Sequence, residues 1–255
     1  MEVLIVGAGA MGRWFGSILD ADVAFADADP AVAEAAADRE DDARAVALST
    51  DERFDAVCVA VPLSAAAEAV DEHAPKATRA VFDVTGTMAG PLAAMAEAAP
   101  DRERASFHPL FAPENAPGNV AVAVEAGGPV TDRILDRLRE RGNDVVETTP
   151  EEHDEAMETV QASAHAAVLA FALAAEDVPE GLSTPVSDDL AALVEQVAGG
   201  TPRVYADIQD AFDGADRVAE AAARLADADR EAFERLYHDA RETADETQET
   251  TEDER

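Results

Sequence analysis

Three glycines near the start of the chain stand at a spacing that suits a phosphate. The apolar run Val3-Leu4-Ile5-Val6 leads into Gly7-Ala8-Gly9-Ala10-Met11-Gly12, and a helix-like pattern follows from Arg13 to Leu19. Strand, G-x-G-x-x-G, then helix is the context a dinucleotide-binding loop requires. Gly7 permits a tight turn. Gly9 lets a pyrophosphate approach the backbone, with Ala10 and Met11 supplying N–H groups at the helix start. Gly12 permits close packing of helix on strand. Asp27 ends a second short strand, twenty residues after Gly7, where a carboxylate can receive the adenine ribose hydroxyls. Ala28 follows it, rather than an arginine for a 2′-phosphate. NAD is therefore expected over NADP, with Asp29 as the fallback acid.

A second group of residues could act on a substrate. His108 closes a predicted strand and precedes Pro109, which stiffens the loop. A neutral imidazole at that point could accept a hydrogen bond from a reacting alcohol. His165 lies four residues after Gln161 on a predicted helix, so the two share a face. His153 falls in the first turn of that helix, where a capping and charge role is expected. His73 and His238 lie in polar helical stretches and read as surface residues. No metal-ligand spacing joins the histidines.

The elements that must position these groups alternate for about 150 residues. Strands are predicted around 3–6, 23–27, 45–48, 54–61, 80–84, 104–107, 120–124 and 145–146. Ser64 is a candidate N-cap for the helix through Glu72. Alternation of this kind predicts an α/β doubly wound parallel sheet. Gly7, Asp27, Val61-Pro62, Thr85 and His108 all fall at predicted carboxyl ends, where such sheets bind ligands. From Glu151 the pattern is helical throughout, beginning with one long helix to about Ala175. The expected organisation is a dinucleotide-binding domain over 1–150, a helical domain over 151–243, and an acidic disordered tail over 244–255. Alanine-rich helices with weak amphipathicity on several faces suggest burial against a second copy, hence a homodimer.

Composition narrows the class. The 255 residues carry 55 acids against 19 basic residues, a formal net charge of −36, and Lys76 is the single lysine. Such a surface repels nucleic acid and anionic membranes. No apolar run is expected to reach spanning length, and nothing resembles a signal peptide, so a cytoplasmic setting is expected. One cysteine, Cys58, excludes an intramolecular disulfide. Acid spread along the whole chain, with scarce lysine, resembles the proteins of halophilic archaea and predicts folding that depends on salt.

Taken in order, several motifs resemble the prephenate dehydrogenase family over nearly the whole chain. They are Gly7–Arg13, Asp83 with Thr85-Gly86-Thr87 and Gly90-Pro91-Leu92, His108-Pro109-Leu110-Phe111-Ala112-Pro113, Glu152-His153-Asp154, Gln161-x-x-x-His165 and Tyr205-Ala206-Asp207-Ile208. The resemblance implies a Rossmann domain with a helical dimerisation domain. It implies NAD(P)-dependent oxidative decarboxylation of prephenate to 4-hydroxyphenylpyruvate in tyrosine biosynthesis. His108 would be the catalytic histidine and His165 a substrate-binding one. The family often has Ser where Gly86 stands, so Thr85 or Thr87 would supply that hydroxyl. It often has Lys where Met88 stands. Gln196 falls where an arginine for a substrate carboxylate is expected. Prephenate is a dianion, so a cation is needed, and Arg203 is the candidate. L-arogenate, with its added amino group, is the alternative substrate. A dehydrogenase of another small hydroxy acid and a non-catalytic NAD-binding sensor are further alternatives.

Overall fold

The structure is a computed structural model that describes residues 1–253 apart from 41 and 180. Its sheet has eight strands: β1 (Glu2–Val6), β2 (Asp22–Ala26), β3 (Ala43–Ala45), β4 (Phe54–Val59), β5 (Ala77–Asp83), β6 (Glu103–Pro109), β7 (Asn119–Ala126) and β8 (Asp144–Glu147). They lie in the order β3-β2-β1-β4-β5-β6-β7-β8. The first six are parallel to one another. This is the expected doubly wound parallel sheet with one reversal: β7 runs antiparallel to β6. Only residues 110–118 connect the two strands, too few for a crossover helix, so the chain returns as a hairpin.

Helices cover both faces: α1 (Ala10–Ile18), α2 (Pro30–Ala37), α3 (Ala66–His73), α4 (Ala89–Ala98) and α5 (Pro129–Glu140). Strand periodicity divides the core. Val3 and Ile5 point to one face with Phe15, Phe25, Phe82 and Phe107, and Leu4 and Val6 to the other with Val57, Val81, Met88 and Met95. Central strands buried on both sides must be apolar at every position, which is why Phe54-Asp55-Ala56-Val57-Cys58-Val59 is nearly continuous.

The chain divides into two compact units. The first comprises 1–158 and takes in 200–211; the second comprises 159–199 and 212–255. The first therefore extends past the expected boundary at 150, because His153 and Asp154 bond to residues of the sheet edge (below). It also holds α6 (Pro150–Met157) and α9 (Pro202–Ala211), and α9 packs on the 3₁₀ turn Leu63–Ala65. The expected long helix carries a π-helical segment at Glu158–Ser163 before α7 (Ala164–Ala174).

The second unit packs α7 against α8 (Pro185–Ala198) and α10 (Gly214–Asp227). Gly214 is required there, since a Cβ would collide with the backbone of Ala162 and Ser163. No residue of α7 is buried, and Leu173, Leu182 and Val186 are largely exposed. By length and composition, the helix Pro150–Ala174 is apolar enough to cross a membrane, contrary to the expectation from the sequence, although Glu151, Glu152, Asp154 and Glu155 crowd its first turns. Helix α11 runs Arg230–Asp253, so most of the stretch expected to be disordered is helical. Its Glu, Ala, Arg and Gln content favours helix. Residues 254 and 255 of that expected tail lie outside the described residues.

Candidate active site

The parallel strands β1, β2, β4, β5 and β6 end along one edge, and that edge gathers the expected site residues of the first unit. Gly7 has φ +101°, the left-handed region, and a Cβ on it would collide with the carbonyl of Ala60. A Cβ on Gly12 would collide with the carbonyl of Gly7. At Gly9 a Cβ would meet nothing within 4 Å, which leaves open space beside the first turn of α1. Two glycines thus shape the loop, and the third leaves room for a ligand's phosphates against exposed N–H groups. Val61 and Pro62 follow β4 on the same edge.

Asp27 follows β2 and is tied to the loop. Its Oδ2 accepts the Ala8 N–H at 2.8 Å and its Oδ1 the Asp29 N–H at 3.0 Å. A carboxylate oxygen has capacity for a second donor, so a ribose hydroxyl can still be received. Asp29 caps α2, accepting from the Ala31 N–H.

His108 lies on β6 and is 8% exposed. Its Nδ1 is 2.9 Å from Nε2 of His153, whose Nδ1 is 2.8 Å from Oδ1 of Asp154. The Asp154 carboxylate also accepts the N–H groups of Met88 and Ala89. Burial alone would raise the Asp154 pKa, but His153 and these two N–H groups outweigh it and hold the carboxyl below its usual value. An ionised Asp154 accepts a hydrogen bond from His153 Nδ1–H. Nε2 of His153 in turn accepts one from His108 Nδ1–H, which leaves His108 Nε2 as the acceptor nitrogen. Burial, with His153 adding to it, pushes His108 down to about 3, so the ring is neutral at physiological pH.

The expected capping role of His153 is therefore corrected. Thr149 and Glu152 form the capping box of α6, and His153 is buried. The sequence signal was present in Glu152-His153-Asp154. What sequence could not supply was the 45-residue closure that brings His153 to His108. His73 is also buried, not a surface residue, and Lys76 donates to its Nδ1 at 2.8 Å. His238 is exposed, as expected.

The turn after β5 faces His108. A Cβ on Gly86 would lie 3.8 Å from His108 Nε2 and 2.9 Å from Leu63 Cδ1. Thr85 is turned away from this space: its Oγ1 is 2.6 Å from Asp83 Oδ1 and 3.1 Å from the Thr87 carbonyl oxygen. Thr87 is half-buried beside Gly86. Met88 is fully buried in the core.

Ser64 does not cap α3, because the intervening turn is 3₁₀ and Ala65 holds the cap position. Its hydroxyl donates instead to Asp207 on α9 at 3.4 Å. Arg203 is exposed on that same α9, within the first unit. His165 and Gln196 belong to the second unit, on α7 and α8. His165 is half-buried, and burial lowers its pKa.

No family model matches the chain. A curated relative does: 4-amino-4-deoxyprephenate dehydrogenase of Streptomyces pristinaespiralis, 35% identical over 246 residues, covering 87% of this chain and 81% of the relative. The chain belongs to the prephenate dehydrogenase family. It is an oxidoreductase of that family, with the family's Rossmann-like sheet and helical C-terminal region. Prephenate dehydrogenase from Aquifex aeolicus, solved with hydroxyphenyl propionate and NAD+, superposes with a TM-score of 0.69 at 19% identity, over 98% of each chain. Arogenate dehydrogenase from Synechocystis superposes with a TM-score of 0.60 at 17% identity, over 97% of this chain and all of that one. Both likenesses concern the fold.

Proposed function

We propose that this family member catalyses the NAD-dependent oxidative decarboxylation of prephenate to 4-hydroxyphenylpyruvate. The observation that carries the reading is the chain Asp154–His153–His108, which presents an uncharged acceptor nitrogen beside Gly86. The glycine loop fits the pyrophosphate of NAD, and Asp27 fits its ribose. NAD, when bound, accepts the hydride lost from the ring carbon that bears the hydroxyl.

His108 Nε2 receives a hydrogen bond from that hydroxyl. As the carbon loses hydride, the oxygen becomes carbonyl-like and its proton more acidic, so the bond to Nε2 strengthens in the transition state. Loss of the ring carboxylate as CO2 then returns the electrons to the ring and leaves a phenol. The product keeps its hydroxyl proton, so no net proton is removed. A weakly basic imidazole suits this role, because it polarises the hydroxyl without retaining the proton. Arg203 is the candidate partner for a substrate carboxylate, and His165 a further substrate-binding residue. Thr87 is better placed than Thr85 to add a hydroxyl, since Thr85 is engaged by Asp83.

A second reading has its own support. The relative at 35% identity is named for 4-amino-4-deoxyprephenate. An amino group in place of the hydroxyl could donate to Nε2 in the same way. Arogenate, with an altered side chain, is a third substrate the same ring chemistry would serve. NADH formation on each of the three, in concentrated KCl, separates them. Turnover of none would remove the dehydrogenase reading and favour an NAD-binding sensor. Replacing His108 by Asn should lower kcat by about 10²–10⁴-fold with KM near wild type. An active His108→Asn enzyme would overturn the catalytic assignment.

The exposed apolar residues of α7 and α8 support a homodimer formed through the helical unit, serving a substrate domain over 151–243. The charge of −36 with one lysine supports a salt-adapted, halophilic-archaeal type of protein acting in the cytoplasm.

A further inference from the structure

The carboxyl of Asp83 is completely buried at the end of β5, two residues before the turn that faces His108. No cation lies within ion-pair distance of it among the described residues. Its Oδ1 accepts the Thr85 N–H at 3.0 Å and lies 2.6 Å from Thr85 Oγ1. Its Oδ2 has no hydrogen-bond partner. The buried hydroxyl of Ser106, its register partner on β6, lies close enough to act on the carboxyl but outside hydrogen-bonding geometry.

Counting protons exposes a shortage. Thr85 Oγ1 has one proton and two acceptors within reach, Asp83 Oδ1 and the carbonyl oxygen of Thr87 at 3.1 Å. If Asp83 were ionised, Oδ2 would be a buried anionic oxygen with no donor, which is among the costliest arrangements in a protein interior. A proton on Oδ1 removes the shortage and leaves Oδ2 a neutral carbonyl oxygen. Oδ1–H donates to Thr85 Oγ1, and the Thr85 hydroxyl donates to Thr87 O.

We propose that Asp83 is a positioning residue that works as a neutral carboxylic acid, pinning the Thr85-Gly86-Thr87 turn against Nε2 of His108. The turn is held from both ends. Asp83 fixes its start, and Asp154 fixes its end through the N–H groups of Met88 and Ala89. Gly86 between them faces the ring nitrogen. Burial pushes the Asp83 carboxyl up to about 7, against the hydroxyls of Thr85 and Ser106, which favour the charged form. The other titratable groups facing it are few. Cys58 on β4 is buried and its thiol is pushed well up by burial; Asp154 on α6 adds negative charge; His108 on β6 is neutral. Ionisation of Asp83 would put a negative charge behind a pocket meant for a dianion, and would take the proton from the Thr85 bond.

The kinetic arm rests on the proposed dehydrogenase reading; the spectroscopic arm does not. Infrared difference spectra of the whole protein, taken between about pH 5 and about pH 9, should contain a protonated-carboxyl band lost near pH 7 and missing in Asp83→Asn. In steady-state assays kcat/KM of the wild type should fall as pH rises through about 7. Asp83→Asn should keep activity within about threefold at acidic pH and lose that alkaline limb, whereas Asp83→Ala should lose kcat at every pH. The inference is overturned if the infrared band is the same in Asp83→Asn as in wild type. It is equally overturned if Asp83→Asn folds but is as inactive as Asp83→Ala.

Discussion

Nε2 of His153 lies 2.9 Å from Nδ1 of His108, although 45 residues separate them, and this bond determines which nitrogen of His108 is left facing the Gly86 turn. Asp154 sets the proton of His153, and His153 sets that of His108. Removing either member leaves the ring in place but lets it adopt the wrong tautomer. Asp154→Asn and His153→Phe should each lower kcat by about tenfold to a hundredfold, by analogy with partners that orient a reactive histidine, while KM changes little. Equal losses in KM and kcat would point to a misfolded pocket instead. Circular dichroism on both variants separates these outcomes.

The glycine loop allows a clean test of nucleotide binding. Gly9→Val adds a side chain in open space, so the fold should keep its Tm while the Kd for NADH rises by more than about tenfold. Gly12→Ala forces a Cβ onto the carbonyl of Gly7 and should lower Tm as well. Thermal melts with and without NADH distinguish the two. Gly9→Val with unchanged affinity would remove the loop as the pyrophosphate site.

Acid stability should depend on His108. Its pKa falls from the ordinary 6.5 to about 3 in the folded protein, so between these values the unfolded chain binds more protons than the native one. Stability from this group is present above about pH 6.5 and drains away as pH falls toward 3. A denaturant titration at about pH 7 and about pH 4.5 should therefore show a smaller loss for His108→Gln than for wild type. An identical loss would mean that the buried ring is not the group responsible.

Salt should stabilise the fold strongly. At a net charge of −36 the folded chain repels itself, and molar salt shortens the screening length to about 3 Å. Tm should rise steeply between about 0.1 and about 2 M KCl, scaling with ionic strength rather than with the identity of the cation. A flat melting curve would contradict salt adaptation.

The sequence alone determined the frame of this protein. Alternating apolar runs and breakers placed β1, β2, β4, β5 and β6. Because parallel strands joined by helices must end on one edge, Gly7, Asp27, Thr85 and His108 could be assigned to that edge. Local chemistry was legible for the same reason: G-x-G-x-x-G acts through its own backbone, and Pro30 marks the first turn of the helix that follows Asp29. What depended on distant pairing was not legible. A polar triplet such as Glu152-His153-Asp154 reads as a helix start, and nothing in the local pattern reveals that His153 is buried against β6. Nor does spacing tell that Asp83 lacks a cation, since burial without a partner is a property of the packed sheet. The reversal of β7 depended on a short loop rather than on strand composition. Periodicity encodes which face of an element is apolar. Only the tertiary structure decides which polar groups that burial brings together, and here those groups are Asp154, His153 and His108.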